Sequence, residues 1–408
     1  MNNEGEQTFW AWLKEGPLDR SFWLGEVDAR GVGIFRAGLG AILLFDILST
    51  FPSLNALYGS SGVWPPSLGR GPLVHVPDAA LPLVWSFGAV VVASFTLGIA
   101  SRVSATLTWL FLVAVHQRNP AITTGGDFLG QILVFLCIWL DTGAAFSVDA
   151  RFFGRARSWV LAGPWRAMQL HLALLYFVTA RLKVRGGWLR GDGIYVSLQH
   201  YGFLRPPGAF LLDHPSLCRV ACYFVLALEA AYPFFSLSPV KNRQTRLVAM
   251  VMGLAVQLGI LMTMRVGSFT ALMLWSSLLL WPLATRPAPQ ATATSRMRHV
   301  LAGLPVLLVV TISWGAFLGR RLPLPAPLRD AEEKLGLVQP FELFGSPYEV
   351  AHWRAEGKAS DGQRVDLLSA AAPGFLSEIR WLYSPFYKLT FTRDADDAAI
   401  ARWLCREG

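Results

Sequence analysis

Residues 167–188, AMQLHLALLYFVTARLKVRGGW, combine a helix apolar enough for a membrane with one polar face. At about 100° per residue, side chains spaced by three or four positions fall on one side of that helix. These side chains are Gln169, Leu172, Tyr176, Thr179 and Lys183. Four of the five can form hydrogen bonds, and lipid offers them no partner. The stretch therefore predicts a bundle of membrane helices with a polar interior.

Lys183 stands apart from its cationic neighbours. Arg181 and Arg185 fall on the opposite side of the helix and read as interfacial anchors, while Lys183 shares a face with Tyr176 and Thr179. A lysine in a dry pocket loses charge and becomes a candidate base, whereas a nearby carboxylate would hold it protonated. The sequence leaves both readings open, along with a third in which Lys183 is also a flank residue.

The composition supports a polytopic membrane protein. Of 408 residues, 53% are hydrophobic and only 15% are charged, against about 25% charged in soluble domains. The net charge of +9 then reflects cationic loops that orient membrane helices, so we expect a lipid bilayer as partner and no nucleic acid. The four cysteines are expected to be free thiols, and no cluster with metal-ligand spacing occurs, so no metal is predicted.

The apolar runs predict about nine transmembrane helices, with the count open between eight and ten. The segments are 32–51, 80–100, 103–117, 128–146, 166–183, 216–236, 247–264, 268–284 and 299–319. We therefore expect an all-α polytopic bundle at 31–320, preceded by a polar cytoplasmic segment at 1–30 without a cleavable signal. It is followed by a small extramembrane α+β domain at 321–408.

Loop charges predict the orientation. With the N-terminus inside, the short inner loops carry eleven cations: Arg102, Arg151, Arg155, Arg157, Arg166, Lys241, Arg243, Arg246, Arg286, Arg296 and Arg298. The longer outer segments carry six: Arg70, Arg118, Arg185, Arg190, Arg205 and Arg265. The positive-inside rule favours a cytoplasmic N-terminus in a cell (inner) membrane and a periplasmic or extracellular C-terminal domain.

Within that C-terminal domain, "YEVAHWRAEG" and "QRVDLLSA" flank Ser-Asp-Gly at 360–362 and predict a β-hairpin. "YKLTFT" predicts a further strand, and "DADDAAIARWLCRE" predicts a helix with acidic residues in its first turn.

Ionisable residues at membrane depth are functional-site hypotheses by default. Depth along the predicted helices sorts them into two groups. Arg36 and Glu229 lie towards the inner side and are predicted to form a structural salt bridge. Asp46, Arg118, Asp127 and Lys183 lie towards the outer side.

Several motifs, in order, resemble the HTTM (horizontally transferred transmembrane domain) proteins, which are related to vitamin K-dependent γ-glutamyl carboxylase. They are GIFRAGLGAILLFDIL, LYGSSGVWP, HQRNPAITTGGDFLGQ, FSVDARFFGR, YFVTARLKVRGGWLRGDGIYVSLQ and VQLGILMTMRVGSF, spread over residues 30–285. The tail is similar to the soluble module that follows this membrane domain in many bacterial members.

The resemblance implies a nine-helix fold and a chemistry. In the carboxylase a lysine after a Tyr-Phe pair deprotonates vitamin K hydroquinone, oxygen converts this cofactor to an epoxide and a strong base, and a peptide glutamate is then carboxylated. The match places Lys183 at that position, with Tyr176 and Trp188 in register. The resemblance thus implies a quinone or vitamin K hydroquinone-like cofactor.

The match also departs from the carboxylase. Where the carboxylase has functional histidines, this chain has Gly126, beside Asp127, and Gln257, and Leu182 replaces a second lysine. Asp127 and Gln257 therefore join Trp188 as candidate cofactor-binding residues. These departures and the smaller outer domain disfavour peptide glutamate carboxylation, and favour another lysine-based quinol or peptide-modifying reaction.

Three functions follow from the sequence. The first is a carboxylase-like or epoxidase-like membrane enzyme that acts on a peptide or a small molecule, with Lys183 as base. The second is a non-catalytic membrane protein that binds or matures a secreted peptide or protein. The third is a transporter with the polar face as its pathway, which the lack of an internal repeat disfavours.

Overall fold

The computed structural model describes residues 16–62, 66–185, 187–199, 204–281, 296–318, 325–337, 356–358 and 363–366. The α-helices are α1 Arg20–Leu24, α2 Ala29–Thr50, α3 Leu54–Tyr58, α4 Leu81–Leu97, α5 Ser101–Arg118, α6 Gly125–Ile138, α7 Val148–Phe152, α8 Ala162–Arg185, α9 Gly193–Leu198, α10 Pro206–Leu212, α11 Pro215–Ser236, α12 Asn242–Thr263, α13 Ser268–Ser276, α14 Arg296–Leu318 and α15 Ala326–Lys334. The strands are β1 Glu26–Asp28, β2 Trp159–Leu161, β3 Glu356–Lys358 and β4 Arg364–Asp366.

Four helical segments are long and apolar enough to cross a membrane: Ala29–Tyr58, Asp78–Leu97, Pro215–Ser236 and Asn242–Thr263. Three shorter apolar helices span Gly125–Ile138, Ser268–Leu280 and Val300–Ser313. Each of the nine predicted segments overlaps one of the helices α2, α4, α5, α6, α8, α11, α12, α13 and α14, although the ends differ. The predicted positions of these helices are therefore confirmed, whereas a total of nine crossings stays a prediction.

Helix α8 lies at the centre of the described bundle. It packs against α14 and α11 along most of its length, and also against α6 and α1. Trp165, at its beginning, is fully buried and meets the Phe35 ring of α2 edge-on at 5.6 Å between centroids. A helix surrounded on several sides needs side chains that satisfy one another, which is why a polar face is tolerated here.

Helix α6 is shorter than the predicted segment 128–146. It begins with a capping box in which the Asp127 carboxylate accepts hydrogen bonds from the backbone N–H and hydroxyl of Thr124, at 2.6 and 2.7 Å. It ends at Ile138, and the chain then makes turns up to the start of α7. The carbonyl groups of these turns are available to a side chain from another helix, and Arg36 binds two of them.

The four short strands form two separate pairs. β1 pairs antiparallel with β2, with Val27 opposite Val160, and so ties the segment before α2 to the segment before α8. β3 pairs antiparallel with β4, which is the pairing expected of the predicted hairpin around residues 360–362. The predicted strand YKLTFT, the predicted C-terminal helix and most of the predicted α+β domain lie outside the described residues. The domain boundaries at 30 and 320 stay predictions.

Candidate functional site in the seam between α8, α11 and α12

The polar face of α8 points into the protein. Gln169, Tyr176, Thr179 and Lys183 are all buried, with 5% or less of each residue exposed. The expectation drawn from their spacing is therefore confirmed. Helix α11 packs against α8 and meets this face at Tyr176 and Lys183, and α12 packs against α11. Gln169 instead donates a hydrogen bond to the carbonyl oxygen of Leu279.

Lys183 pairs with Glu229 of α11. The Nζ atom donates a hydrogen bond to the Oε1 atom of the carboxylate, and both side chains are 6% exposed. The Trp188 ring lies on another side of the ammonium group, with its centroid 4.6 Å from Nζ. A carboxylate and an aromatic face both attract an ammonium group. Lys183 is thus one half of a buried ion pair and does not lie against lipid.

Trp188 is held beside Lys183 by its surroundings. Its carbonyl oxygen accepts a hydrogen bond from the Cys222 thiol, one of two free thiols on α11, at 3.4 Å. Gly193, at the start of α9, lies directly against the indole, and a Cβ at that position would lie 2.3 Å from the ring atom Cδ2. The site therefore needs glycine at position 193, because any larger residue would displace the indole.

A second polar layer lies about two turns before Lys183 on α8 and about one turn after Glu229 on α11. The rings of Tyr176 and Tyr232 stack with centroids 4.1 Å apart. Gln257 of α12 donates a hydrogen bond from Nε2 to the Tyr176 hydroxyl at 3.2 Å. Tyr176 precedes Lys183 on α8, whereas Tyr232 follows Glu229 on α11, so the two layers match antiparallel helices.

Two acceptor oxygens in these layers have no hydrogen-bond donor among the described residues. They are Oε2 of Glu229 and Oε1 of Gln257, and both are buried. A buried acceptor without a donor costs free energy, so the seam is a place where a ligand with hydroxyl groups gains hydrogen bonds. Thr179 is different, because its hydroxyl already donates to the carbonyl groups of Leu175 and Tyr176.

The predicted pairing of Arg36 with Glu229 is wrong. Arg36 is fully buried and donates hydrogen bonds to the carbonyl oxygens of Thr142, at 2.7 Å, and Phe146. Gly98 leaves room for it, since a Cβ there would lie 2.4 Å from Nη1 of Arg36. Depth along a helix does not specify which helix is the neighbour, and the neighbours of α2 here are the turns that follow α6.

The other charged residues predicted at membrane depth, Arg118, Asp127 and Asp46, lie away from the Lys183–Glu229 pair. Arg118 is buried and donates to the carbonyl oxygens of Tyr58, Leu73 and Val76, which gathers the segments before α4. Asp127 caps α6 and lies 3.8 Å from the His116 ring, and Asp46 is half-buried near the end of α2. Both carboxylates are within electrostatic range of Tyr58. They form a group distinct from the pair at Lys183, so the predicted outer group separates into two.

A buried carboxylate that the sequence reading missed lies outside the apolar helices. Asp149 of α7 accepts hydrogen bonds from the backbone N–H groups of Ala100 and Ser101 at 2.9 and 2.8 Å, and from the Ser101 hydroxyl. Burial by itself raises the pKa of Asp149, but these hydrogen bonds outweigh it and leave the pKa below its ordinary value. Asp149 thus caps the start of α5. In the sequence, the position of Asp149 in the motif FSVDARFFGR, two residues after Ser147, could have indicated this role.

Within the described residues, no group of three or more His, Cys, Asp or Glu side chains is placed to hold a metal ion. The comparisons with known proteins give one match. A family model described as HTTM domain matches residues 25–283, which includes the Lys183–Glu229 pair and both layers around it. None of the curated proteins and none of the solved structures that were compared with the chain matches it.

Proposed function

Because the chain belongs to the HTTM family, we propose that it is a membrane enzyme in which the buried Lys183–Glu229 pair accepts a proton from a hydroxyl group of a membrane-soluble substrate. The family and the apolar helices together make the chain an integral membrane protein. The observation that carries the proposal is an ion pair between side chains that are only 6% exposed, in the contact between α8 and α11.

The pair accepts the proton as a unit. Oε1 of Glu229 is occupied by Lys183, whereas Oε2 has no donor among the described residues and can take a proton. After the transfer, Glu229 is neutral and the Lys183 ammonium group faces the new negative charge on the substrate oxygen. If the lysine first passes a proton to Glu229 and then acts as the base, the final arrangement of protons is the same. The pair therefore supports base chemistry although Lys183 is not isolated.

We propose a quinol-like cofactor for this site. The two donorless acceptors on Glu229 and Gln257 suit hydroxyl groups, and the neighbouring rings of Tyr176 and Tyr232 give the site aromatic surroundings. When bound, such a group supplies an acidic hydroxyl and an oxidisable ring. Gln257 orients the Tyr176 hydroxyl, Trp188 confines the ammonium group, and the packing of α8, α11 and α12 excludes water.

The test uses purified protein in lipid nanodiscs with a short-chain hydroquinone in air-saturated buffer. Dissolved oxygen is the oxidant, and consumption of the hydroquinone is followed in single-turnover mode. Glu229→Gln keeps the shape of the side chain but cannot take up a proton, and we expect activity to fall by about 100-fold or more. Lys183→Ala should be equally inactive. Arg190→Gln, a change of a 76% exposed side chain, is the matched control and should behave as the original protein.

The variant Lys183→Arg separates the two routes of the proton. Arginine keeps the positive charge but cannot be deprotonated, so retained activity assigns the base to Glu229, and loss assigns it to the lysine. Full activity of both Glu229→Gln and Lys183→Ala would overturn the enzyme proposal. It would favour the alternative, a non-catalytic membrane protein that binds or matures a secreted partner.

We also propose the orientation that the loop charges favour, with the N-terminus in the cytoplasm of the cell and the C-terminal domain outside. Fusion of a periplasmic reporter enzyme after residue 408 should then be active, and a fluorescent reporter that matures only in the cytoplasm should be dark. The opposite result would place Lys183 near the cytoplasmic end of α8.

A further inference from the structure

A long apolar groove follows the seam between α4 and α5, far along the chain from the Lys183 site. Its volume is about 860 Å³. The lining includes Leu83, Phe87, Leu107, Ala114, Gln117 and Lys334. The only polar side chains in this set are Gln117 and Lys334, and both lie at the same end.

The length of the groove along α5 corresponds to the thickness of one leaflet of a bilayer. Along α5 the lining runs from Leu107 to Gln117, which at 1.5 Å per residue is about 15 Å. That is half of a hydrocarbon core of about 30 Å. Leu83 and Phe87, at the margin, are 73% and 58% exposed, so the groove opens away from the protein towards the surrounding lipid.

The polar end of the groove is closed by the segment that follows α15. Gln117 donates a hydrogen bond from Nε2 to the Lys334 carbonyl oxygen at 2.7 Å, and Gln131 of α6 donates to the Gly336 carbonyl oxygen. Leu337, just beyond, is buried in the core of the bundle. The segment 334–337 therefore packs on the apolar helices and forms the rim of the groove at its polar end.

The rim carries one cation, Lys334, that lacks an ion-pair partner among the described residues. Glu333 pairs with Arg70 at 2.8 Å, and Asp330 pairs with Arg329 at 4.0 Å. Lys334 is exposed and forms no ion pair with any residue that the structure describes. An ammonium group at the mouth of an apolar groove is complementary to a molecule with one apolar chain and an anionic head.

We propose that the groove binds one acyl chain of an anionic phospholipid, with the phosphate group beside Lys334. A partner helix would need an apolar lining across the whole bilayer, whereas this groove covers one leaflet. A neutral amphiphile would match the apolar part but not the cation at the rim. The site is independent of the proposed chemistry at Lys183.

For the test, the protein is reconstituted in vesicles of equal phosphatidylcholine and phosphatidylglycerol and then purified. Native mass spectrometry measures which lipid remains bound to it. We expect phosphatidylglycerol to be enriched on the protein. Ala114→Trp fills the groove and should lower bound lipid by about tenfold. Ala255→Trp, on the exposed side of α12, is the matched control and should retain the lipid.

Lys334→Gln should keep an acyl chain in the groove but reduce the preference for phosphatidylglycerol by about fivefold. If Ala114→Trp does not fold, Leu110→Gln, at a half-exposed position in the same wall, replaces it and should also release lipid. Bound lipid that mirrors the vesicle composition, or that is unchanged in the groove variants, would overturn the proposal. A dimer that Ala114→Trp dissociates would assign the face to a second copy of the chain and equally overturn it.

Discussion

Lys183 of α8 and Glu229 of α11 are joined by a hydrogen bond between Nζ and Oε1, at a position where both side chains are almost wholly removed from the surface. The two residues are 46 positions apart. Each is the partner that the other needs at this depth, because an unpaired charge in an apolar interior costs several kcal/mol.

The ion pair predicts a strong coupling in stability. Lys183→Met and Glu229→Leu each leave one buried charge without its partner, and each should lower the free energy of unfolding by about 3–5 kcal/mol. The double variant removes both charges and should recover most of that loss. The measurement is unfolding of the protein in detergent, and additive losses in the double variant would show that the two residues are not coupled.

The contact between Gly193 and Trp188 predicts a size-dependent effect. Gly193→Ala places a methyl group 2.3 Å from the indole and should cost about 1–3 kcal/mol through overpacking. Adding Trp188→Phe should restore part of the lost stability, because the smaller ring leaves space for the methyl group.

The matched control for this prediction is Gly259→Ala on α12, where a Cβ would meet no atom within 4 Å. It should stabilise the helix by about 0.5–1 kcal/mol. Equal effects of the two glycine substitutions on the melting temperature would contradict the proposed role of Gly193.

The Arg118 network predicts that lysine is a poor replacement. The guanidinium group serves the carbonyl oxygens of Tyr58, Leu73 and Val76. A single ammonium group cannot reach all three in that geometry, so Arg118→Lys should destabilise the protein by about 2 kcal/mol or more. Arg30→Lys changes a 68% exposed side chain that pairs with Asp28 and should leave the melting temperature nearly unchanged. Thermal unfolding of both variants checks the contrast.

The Asp149 cap predicts a loss of stability in acid. Its pKa is lower in the folded chain than in the unfolded chain, so the ionised carboxylate stabilises the fold above the unfolded value of about 3.9. That contribution is lost as the pH falls through the folded pKa. Asp149→Asn should therefore be less stable than the original protein at pH 7, and the difference should shrink below about pH 4.

Melting temperatures measured between about pH 2 and pH 7 decide this prediction. Asp213→Asn, which changes an exposed carboxylate, is the control. A difference between Asp149→Asn and the original protein that is independent of pH would show that the cap does not depend on the charge.

Much of the bundle could be predicted from local patterns. The apolar runs located the helices, because the length needed to cross a bilayer is set by the rise per residue. The spacing of Gln169, Tyr176 and Lys183 identified the inward face of α8, because helical geometry places these side chains together whatever the neighbouring helix is. The end of α6 was misplaced, since apolar composition continues beyond Ile138 although the helix does not.

The partners of the charges could not be predicted in the same way. Glu229 was assigned to Arg36 by depth, yet it lies against Lys183, and Arg36 lies against carbonyl groups of the turns after α6. Asp127, a candidate for binding a cofactor, is engaged in capping its own helix. A carboxylate satisfies any nearby donor, so its chemistry alone does not specify which donor it meets.

The sequence by itself determined the family, the helical segments and the face on which Lys183 lies, because these depend on residues close together along the chain. Only the tertiary structure decided that Glu229 faces Lys183, that Trp188 and Gln257 complete the two layers, and that the segment after α15 closes a groove between α4 and α5. These contacts join residues from separate helices, and their positions depend on how the helices pack.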